Sequence, residues 1–286
     1  MPTARNSDTV AAHLVHSIDD PEFESAYRAL DAYFGSRNEM EAREVLAQRF
    51  QWDPAQVDGD FALYYEMAVY KTAQDNITLV GDYSVILSHT AIAAGQPAVV
   101  HLSHILAPDN MLPRSTGETR HKSHAKTRMY DVTVAATRKA LRLAGLPEST
   151  PIVLAGEMEP IFDPDQVLTE EQTKERRTRV ALFLHAGLSL VDPNAIHYFQ
   201  PDFRTHELID ASGGCELVKL YLMLRRMERE AENTMPAAEV RHVANCLYHM
   251  YSHGIRPQDM EPAYRSLDNY PPDDQVVKLL RRLPTS

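Results

Sequence analysis

Residues 98–119 read AVVHLSHILAPDNMLPRSTGET, and the 25 residues that follow contain neither proline nor glycine. The apolar run at 98–106 predicts a β-strand, and the region from 120 to about 144 predicts a helix. A strand, a loop with a glycine and the start of a helix can bind an anion, because the first helical amides lack intrahelical partners and lie at the positive end of the helix dipole. Gly117 would let the backbone approach a phosphate closely. A capped loop before a solvated basic helix face fits the same residues.

Charge is distributed unevenly along the chain. The net charge is −11 at pH 7, yet residues 114–142 hold eight basic and two acidic residues, a net charge of +6. The overall charge argues against general electrostatic binding of nucleic acid. A local basic patch indicates a specific anionic ligand instead, with Arg114 placed to pair with one phosphate and Arg120 or Lys122 with another.

The pattern of apolar residues predicts a chain that contains both helices and strands. Helices are predicted at 21–35, 38–50, 120–144 and 169–187, and strands at 61–70, 81–92, 98–106, 150–159, 195–201 and 215–224. The strands at 81–92 and 98–106 form an antiparallel hairpin around a Gly-Pro turn. Residues 1–20 are predicted as a tail, 21–230 as the main domain and 231–286 as an all-helical extension with helices at 236–253, 257–268 and 273–283.

The order of these elements resembles that of the GNAT superfamily of acyl-CoA-dependent N-acyltransferases, β-α-α-β-β-β-α-β-α-β-β. That family has an R/Q-x-x-G-x-G/A loop between the fourth strand and the third helix. Here RSTGET (114–119) matches the arginine and the first glycine, with Thr119 where the second small residue belongs, and APDNMLP upstream is similar to the family's V-x-P-x-x-R with extra residues inserted. The resemblance covers roughly residues 20–225 and implies an α+β fold, a mixed, mostly antiparallel twisted sheet flanked by helices.

The resemblance implies an enzyme that transfers an acyl group, normally acetyl, from acyl-CoA to a primary amine. Acetyl-CoA or another acyl-CoA would be the co-substrate, with an acyl carrier protein as a possible alternative donor. Backbone amides of the loop would bind the CoA pyrophosphate, and the strand before it would bind the pantetheine arm and polarise the thioester carbonyl. The implied CoA-binding residues are Ile105, Leu106, Ala107, Arg114, Ser115, Thr116, Gly117, Glu118, Thr119 and Arg120.

One family motif is not retained. Many members carry N-x-x-A-x-x-x-Y-x-x-x-G in the fourth helix, whereas counting back from Gly187 gives Arg176 and Phe183. Phenylalanine cannot protonate a leaving thiolate, so the usual acid is absent or supplied elsewhere. Tyr198 or Tyr221 could replace it, and a core position with a hydrogen-bonded hydroxyl fits each of them equally well. The departure keeps a second interpretation open, a catalytically inactive module that binds CoA, another nucleotide or a protein.

The candidate catalytic residues are acidic groups and histidines on two strands. Glu157 and Glu159 are predicted on one side of a strand end, and Glu157 is the candidate base or amine anchor. Alternation places His101 and His104 on opposite faces of their strand, and His104, nearer the loop, is the candidate that faces the cleft. Hydrogen-bonded structural roles fit the same residues.

The C-terminal region contains a stripe of metal-binding residue types, His242, Cys246, His249 and His253. Because an apolar stripe runs beside it and one helix seldom supplies four ligands, no metal site is predicted. The C-terminal helices could instead form a homodimer contact. We expect a reduced, cytoplasmic protein with no membrane partner, because the sequence has two cysteines, no apolar signal core and no run of about twenty apolar residues. The acidic charge favours a small cationic amine as acceptor.

Overall fold

The computed structural model describes residues 12–35, 40–71, 75–106, 120–161 and 167–283, with the backbone alone for 120–128. The helices in these ranges are α1 (Phe23–Phe34), α2 (Arg43–Arg49), α3 (His89–Ala93), α4 (Arg120–Leu143), α5 (Glu170–His185), α6 (His206–Ala211), α7 (Ala237–Ser252) and α8 (Pro257–Ser266). Among the helices in these ranges, none has both the length and the hydropathy needed to cross a lipid bilayer.

The strands form one mixed sheet. They are β1 (Ala12–Val15), β2 (Val57–Asp58), β3 (Phe61–Lys71), β4 (Ile77–Ser88), β5 (Ala98–Leu106), β6 (Ile152–Met158), β7 (Ser189–Val191), β8 (Tyr198–Gln200), β9 (Val218–Arg226), β10 (Thr234–Pro236) and β11 (Val276–Leu280). Their order is β1-β3-β4-β5-β6-β9-β7-β11-β10, with β2 beside β3 and β8 beside β9. Of the strand pairs in the described ranges, only β5–β6 is parallel. The predicted α+β fold is confirmed, and β1-α1-α2-β3-β4-β5-α4-β6-α5-β7-β9 follows the order that the resemblance implies.

Helices cover both faces of the sheet. Alternate residues of β4 separate the two sides: Val80 and Ile86 pack toward α1, α2, α7 and α8, whereas Tyr83 and Val85 pack toward α4 and α5. Because both faces are covered, β3, β4 and β5 are buried along most of their length. These strands therefore read as continuous apolar runs rather than as strict alternation.

The C-terminal region is not all helical. The predicted helix at 273–283 is wrong, because its central residues form β11, which pairs with β7 and β10. Val277 and Leu279 are buried while Val276 and Lys278 are exposed, the period of two expected of a strand. The strands β1, β7 and β10 were missed, and β1 lies inside the predicted tail, where it pairs with β3. The domain boundaries stay a prediction.

Candidate active site

The sheet opens between its two parallel strands. β5 and β6 pair from Ala98 and Ile152 to His101 and Ala155. Beyond that point β5 continues alongside β4 as far as Leu106, and β6 continues alongside β9 as far as Met158. The strands therefore separate at their carboxyl ends, and the backbone of β5 past His101 is not paired with β6.

A β-bulge in β5 lies at the start of this opening. Tyr83 pairs with Leu102 and Asp82 with His104, so Ser103 is an extra residue opposite a continuous partner strand. A bulge of this kind bends the strand and turns the following side chains to the other face. His101 and His104 consequently share one face of the sheet, and the prediction that they lie on opposite faces is wrong because simple alternation assumes an unbroken ladder.

Glu157 lies beside the opening, at the centre of a polar cluster. Its carboxylate accepts hydrogen bonds from the Tyr198 and Tyr251 hydroxyls and from Gln200 Nε2 at 3.2 Å, and it contacts His101 Nε2 at 3.2 Å. We call these residues, together with Ser103, the Glu157 cluster. The partners come from β5, β8 and α7, so three separate parts of the chain converge on one carboxylate.

The environment keeps the carboxylate ionised. Burial by itself would raise the pKa of Glu157, but the hydrogen bonds from the imidazole and the two hydroxyls outweigh it and hold the pKa below its ordinary value. Burial and the charge of Glu157 raise the pKa of Tyr198 and Tyr251 well above the usual range. Both phenols therefore remain protonated donors, and the carboxylate is a stable anion with its oxygens occupied.

His101 connects the carboxylate to the bulge. Its Nδ1 lies 3.1 Å from Ser103 Oγ, while its Nε2 lies 3.3 Å from the Tyr251 hydroxyl as well as near Glu157. The side chain is 4% exposed. A carboxylate against one ring nitrogen and a hydroxyl against the other hold the imidazole in a fixed orientation, as general acid–base catalysis requires.

His104 belongs to a second polar group on the same face. Its Nδ1 and its backbone N–H both lie 2.9 Å from Asp82 Oδ1, and the Tyr65 hydroxyl donates to Asp82 Oδ2 at 2.8 Å. Arg49 pairs with Glu41 beside them. We call these five residues the Asp82 cluster. Burial by itself would raise the pKa of Asp82, but the charge and the hydrogen bond of His104 act against it, and the pKa is lowered.

Other predicted site residues have structural partners. β6 ends before Glu159, whose carboxylate pairs with Arg176 and Arg179 of α5 instead of joining Glu157. Phe183 packs against Gly156 of β6, so no hydroxyl replaces the missing tyrosine at that point. Tyr221 is buried in the core on the α4 side.

The CoA-binding prediction falls mostly beyond what the structure describes. Ile105 and Leu106 end β5 beside the opening and are half-buried. Ala107, Arg114, Ser115, Thr116, Gly117, Glu118 and Thr119 lie outside the described residues, and only the backbone of Arg120, the first residue of α4, is described.

The contribution of α7 to this site was not predicted from the sequence. The helix covers the Glu157 cluster, to which it contributes Tyr251, and its apolar side is buried against the sheet. A tyrosine inside an apolar helical stripe is usually a core residue, so no local signal separated Tyr251 from its neighbours. Its function depends on a carboxylate 94 residues away.

No protein-family model matches the chain, and no curated protein sequence matches it. Similar solved structures include one assigned as an acyl-CoA N-acyltransferase from Klebsiella pneumoniae subsp. pneumoniae, with 11% identity, a TM-score of 0.37 and coverage of 77% of this chain and 99% of that chain. The spermidine N-acetyltransferase of Vibrio cholerae in complex with CoA and spermine has 12% identity, a TM-score of 0.36 and coverage of 77% and 98%. A mutant of that enzyme has 10% identity, a TM-score of 0.36 and coverage of 79% and 98%. Values this low do not establish function, so the chemistry has to be inferred from the residues of this chain.

Proposed function

We propose that the chain transfers an acyl group, normally acetyl, from acyl-CoA to a small primary amine. The observation that carries the proposal is the opening between β5 and β6 directly beside the buried His101–Glu157 pair. An opening between strands exposes backbone amides and carbonyls that can bind an extended, amide-containing chain such as pantetheine. In this proposal Ile105, Leu106 and Ala107 bind that arm.

The pyrophosphate of CoA is assigned to the loop and helix start that follow β5. Gly117 and its neighbours would offer backbone amides, and Arg114 and Arg120 would supply positive charge. The chain is acidic overall, so the local excess of basic residues is the feature that favours an anionic ligand there. A Gly117→Asp variant should lose CoA affinity, because a carboxylate and a Cβ would occupy the phosphate position. Unchanged affinity would refute the loop assignment.

The reaction requires one proton transfer away from nitrogen and one toward sulfur. The neutral amine attacks the thioester carbon, a C–N bond forms, and the C–S bond breaks as CoA leaves. We assign His101 as the group that takes the proton from nitrogen and returns it to the thiolate, which removes the need for a tyrosine at Phe183. Glu157 acts as the positioning residue, because its stable negative charge favours the imidazolium while the proton is held. His104, paired with Asp82 on the same face, is the alternative base.

A thiol-release assay with acetyl-CoA and a panel of polyamines and amino acids tests the activity. Glu157→Gln should lower kcat by about 100-fold or more, within the range of general acid–base catalysis, while calorimetry shows unchanged CoA affinity. Glu159→Gln is the matched control, since its carboxylate is paired with α5 and its loss should leave kcat unchanged. His104→Gln separates the two candidate bases: a loss there with His101→Gln unaffected would reverse the assignment.

A second function is favoured by one observation, the phenyl ring of Phe183 where the family has its acid. A chain that has kept the fold and lost turnover would bind CoA and release no thiol with any amine. Calorimetric binding of CoA together with absent thiol release would establish this binding-module function. Absence of CoA binding at millimolar ligand would exclude both functions.

A further inference from the structure

Two histidines at the end of α7 and an aspartate of β2 converge away from the two clusters described above. His249 and His253 are one helical turn apart, and Asp58 approaches them from the hairpin between β2 and β3. One ligand-capable atom from each residue lies within 4.8 Å of the other two. His253 Nε2 and Asp58 Oδ2 are 3.7 Å apart. We call these three residues the Asp58 cluster.

The ring of His249 is held in place by its neighbours, but one of its nitrogen atoms lacks a hydrogen-bond partner among the described residues. It stacks on Phe61 with ring centroids 3.9 Å apart and an interplanar angle of 16°, and it meets His253 edge-on at 5.2 Å. Its Nε2 atom is buried and has no hydrogen-bond partner among the described residues. A buried polar nitrogen without a partner is uncommon and requires an explanation.

The electrostatics favour neutral imidazoles in a negative environment. Burial lowers the pKa of His249, and the neighbouring His253 lowers it further, against the charges of Asp58 and Asp60. Burial also lowers the pKa of His253, with Arg49 adding to the effect and Asp58 opposing it. Neutral imidazole is the form that ligates a metal ion, and nearby carboxylates attract a cation.

A second trio, Glu41, Asp82 and His104, also has ligand-capable atoms within 4.8 Å. That group already contains a cation, because Arg49 pairs with Glu41 and its charge reaches Asp82. The Asp58 cluster differs: the closest approach of its carboxylate to a cationic side chain that the described residues show is the long contact with His253. Arg49 therefore forms an ion pair within the second trio, whereas at the Asp58 cluster its charge acts on His253 and the described residues show no lysine or arginine paired with Asp58.

We propose that Asp58, His249 and His253 bind one divalent transition-metal ion, of which Zn²⁺ is the best fit. Two imidazoles and one carboxylate are ligands that Zn²⁺ prefers over the all-oxygen sets of Mg²⁺ and Ca²⁺. Bond lengths near 2.0 Å in a tetrahedral site place ligand atoms about 3.3 Å apart, so the three atoms, now within 4.8 Å of one another, have to move closer on binding. Asp58 is exposed and can move. The ion would join the end of α7 to the β2–β3 hairpin.

The proposed site uses only the second half of the stripe formed by His242, Cys246, His249 and His253. His242 donates from Nε2 to the Pro97 carbonyl at 2.9 Å, and Cys246 lies next to His242 rather than next to His249. The metal ligands of the proposed site are the last two histidines of the stripe, and the third ligand comes from 191 or more positions earlier in the chain. Spacing along α7 alone could not supply it.

Calorimetry of the tag-free, chelator-treated chain with Zn²⁺ alone tests the proposal, and visible absorption of the Co²⁺-loaded chain reports the ligand geometry. We expect one ion per chain and a higher Tm with Zn²⁺ but not with Mg²⁺. Asp58→Ala, at an exposed position, and His249→Phe, which keeps the stack on Phe61, should each weaken Zn²⁺ binding by more than about 100-fold, the upper end of what losing an outer-shell partner costs.

His206→Ala, at an exposed histidine of α6, is the control for adventitious binding and should leave affinity unchanged. Absence of a one-to-one Zn²⁺ site in the wild-type chain would overturn the proposal. Equal Zn²⁺ affinity in Asp58→Ala and the wild type would overturn it as well, and this variant remains informative if His249→Phe fails to fold. A stoichiometric site abolished by His242→Gln but not by Asp58→Ala would assign the ion to the other half of the stripe.

Discussion

Replacing Tyr251 with phenylalanine removes one donor from a buried carboxylate and changes little else. The Tyr251 hydroxyl donates to Glu157 and lies 3.3 Å from His101 Nε2. Its ring packs edge-on against His101 and Phe203, contacts that phenylalanine retains. The substitution therefore isolates the hydrogen bond to a charged group.

The expected loss of stability follows from the charge of the acceptor. A hydrogen bond to a charged group contributes about 1.5–3 kcal/mol, compared with about 1 kcal/mol for a neutral pair. Tyr251→Phe should therefore lower the free energy of unfolding by about 2 kcal/mol and Tm by about 5 °C. Tyr248→Phe is the matched control, one turn away on α7, because its hydroxyl contacts neutral groups, among them Ser266 Oγ at 3.3 Å. It should cost about 1 kcal/mol or less.

The pH dependence distinguishes the two variants further. The pKa of Glu157 is depressed in the folded chain, so the stabilisation is fully present above the ordinary value of 4.5 and is lost as pH falls through the depressed value. The difference between wild type and Tyr251→Phe should be constant from pH 7 to about 4.5 and shrink below that, whereas Tyr248→Phe should show a constant difference. Urea unfolding at a series of pH values measures both. Equal costs for the two variants, or a Tyr251→Phe cost that does not change with pH, would show that the hydroxyl does not stabilise an ionised Glu157.

Two further predictions concern packing and charge elsewhere in the core. Gly156→Ala would place a Cβ 3.2 Å from the Phe183 ring and should destabilise the chain by about 1–3 kcal/mol in urea unfolding. Adding Phe183→Leu should reduce this loss. Full destabilisation in the double variant would exclude the clash as its cause. Arg226 and Glu239 form a buried ion pair at 2.8 Å, and the more exposed Arg229 lies 3.7 Å from the same carboxylate. Arg226→Met should cost about 3–5 kcal/mol because it leaves the buried Glu239 with the long Arg229 contact in place of its short one, and Arg226→Met with Glu239→Leu should recover most of the loss. If the double variant is no more stable than the single one, the buried charge is not the source of the loss.

Local periodicity was sufficient for most of the fold. The stripe of Phe23 and Leu30 with Gly35 at its end predicted α1, and the apolar run at 98–106 predicted β5 with its bounds. Such patterns can be recognised within one short segment, because side-chain directions repeat every 3.6 residues in a helix and every 2 residues in a strand. β11 is a segment for which periodicity failed, since the same VVKLL run is compatible with either period and its partners β7 and β10 decide between them.

The candidate site was only partly predictable. Glu157 was predicted because the resemblance places the end of its strand at the acyl cleft, where a base is needed, but its contacts with His101, Tyr198 and Tyr251 were not predicted. The bulge at Ser103 is specified by the pairing of β5 with β4, and no feature of HLSH by itself reveals which residue is extra. The side of the sheet on which His104 lies therefore could not be obtained from alternation.

The sequence by itself determined most of the longer helices and strands, and it placed a glycine loop and basic residues after β5. Tertiary structure decided which side chains meet: the partners of Glu157 lie 41, 43, 56 and 94 residues from it along the chain. Secondary-structure patterns depend on neighbours a few residues away, whereas a buried polar cluster depends on strand register and helix docking. Those are set by the packing of the whole core, in which an unpaired buried carboxylate would be too costly to persist.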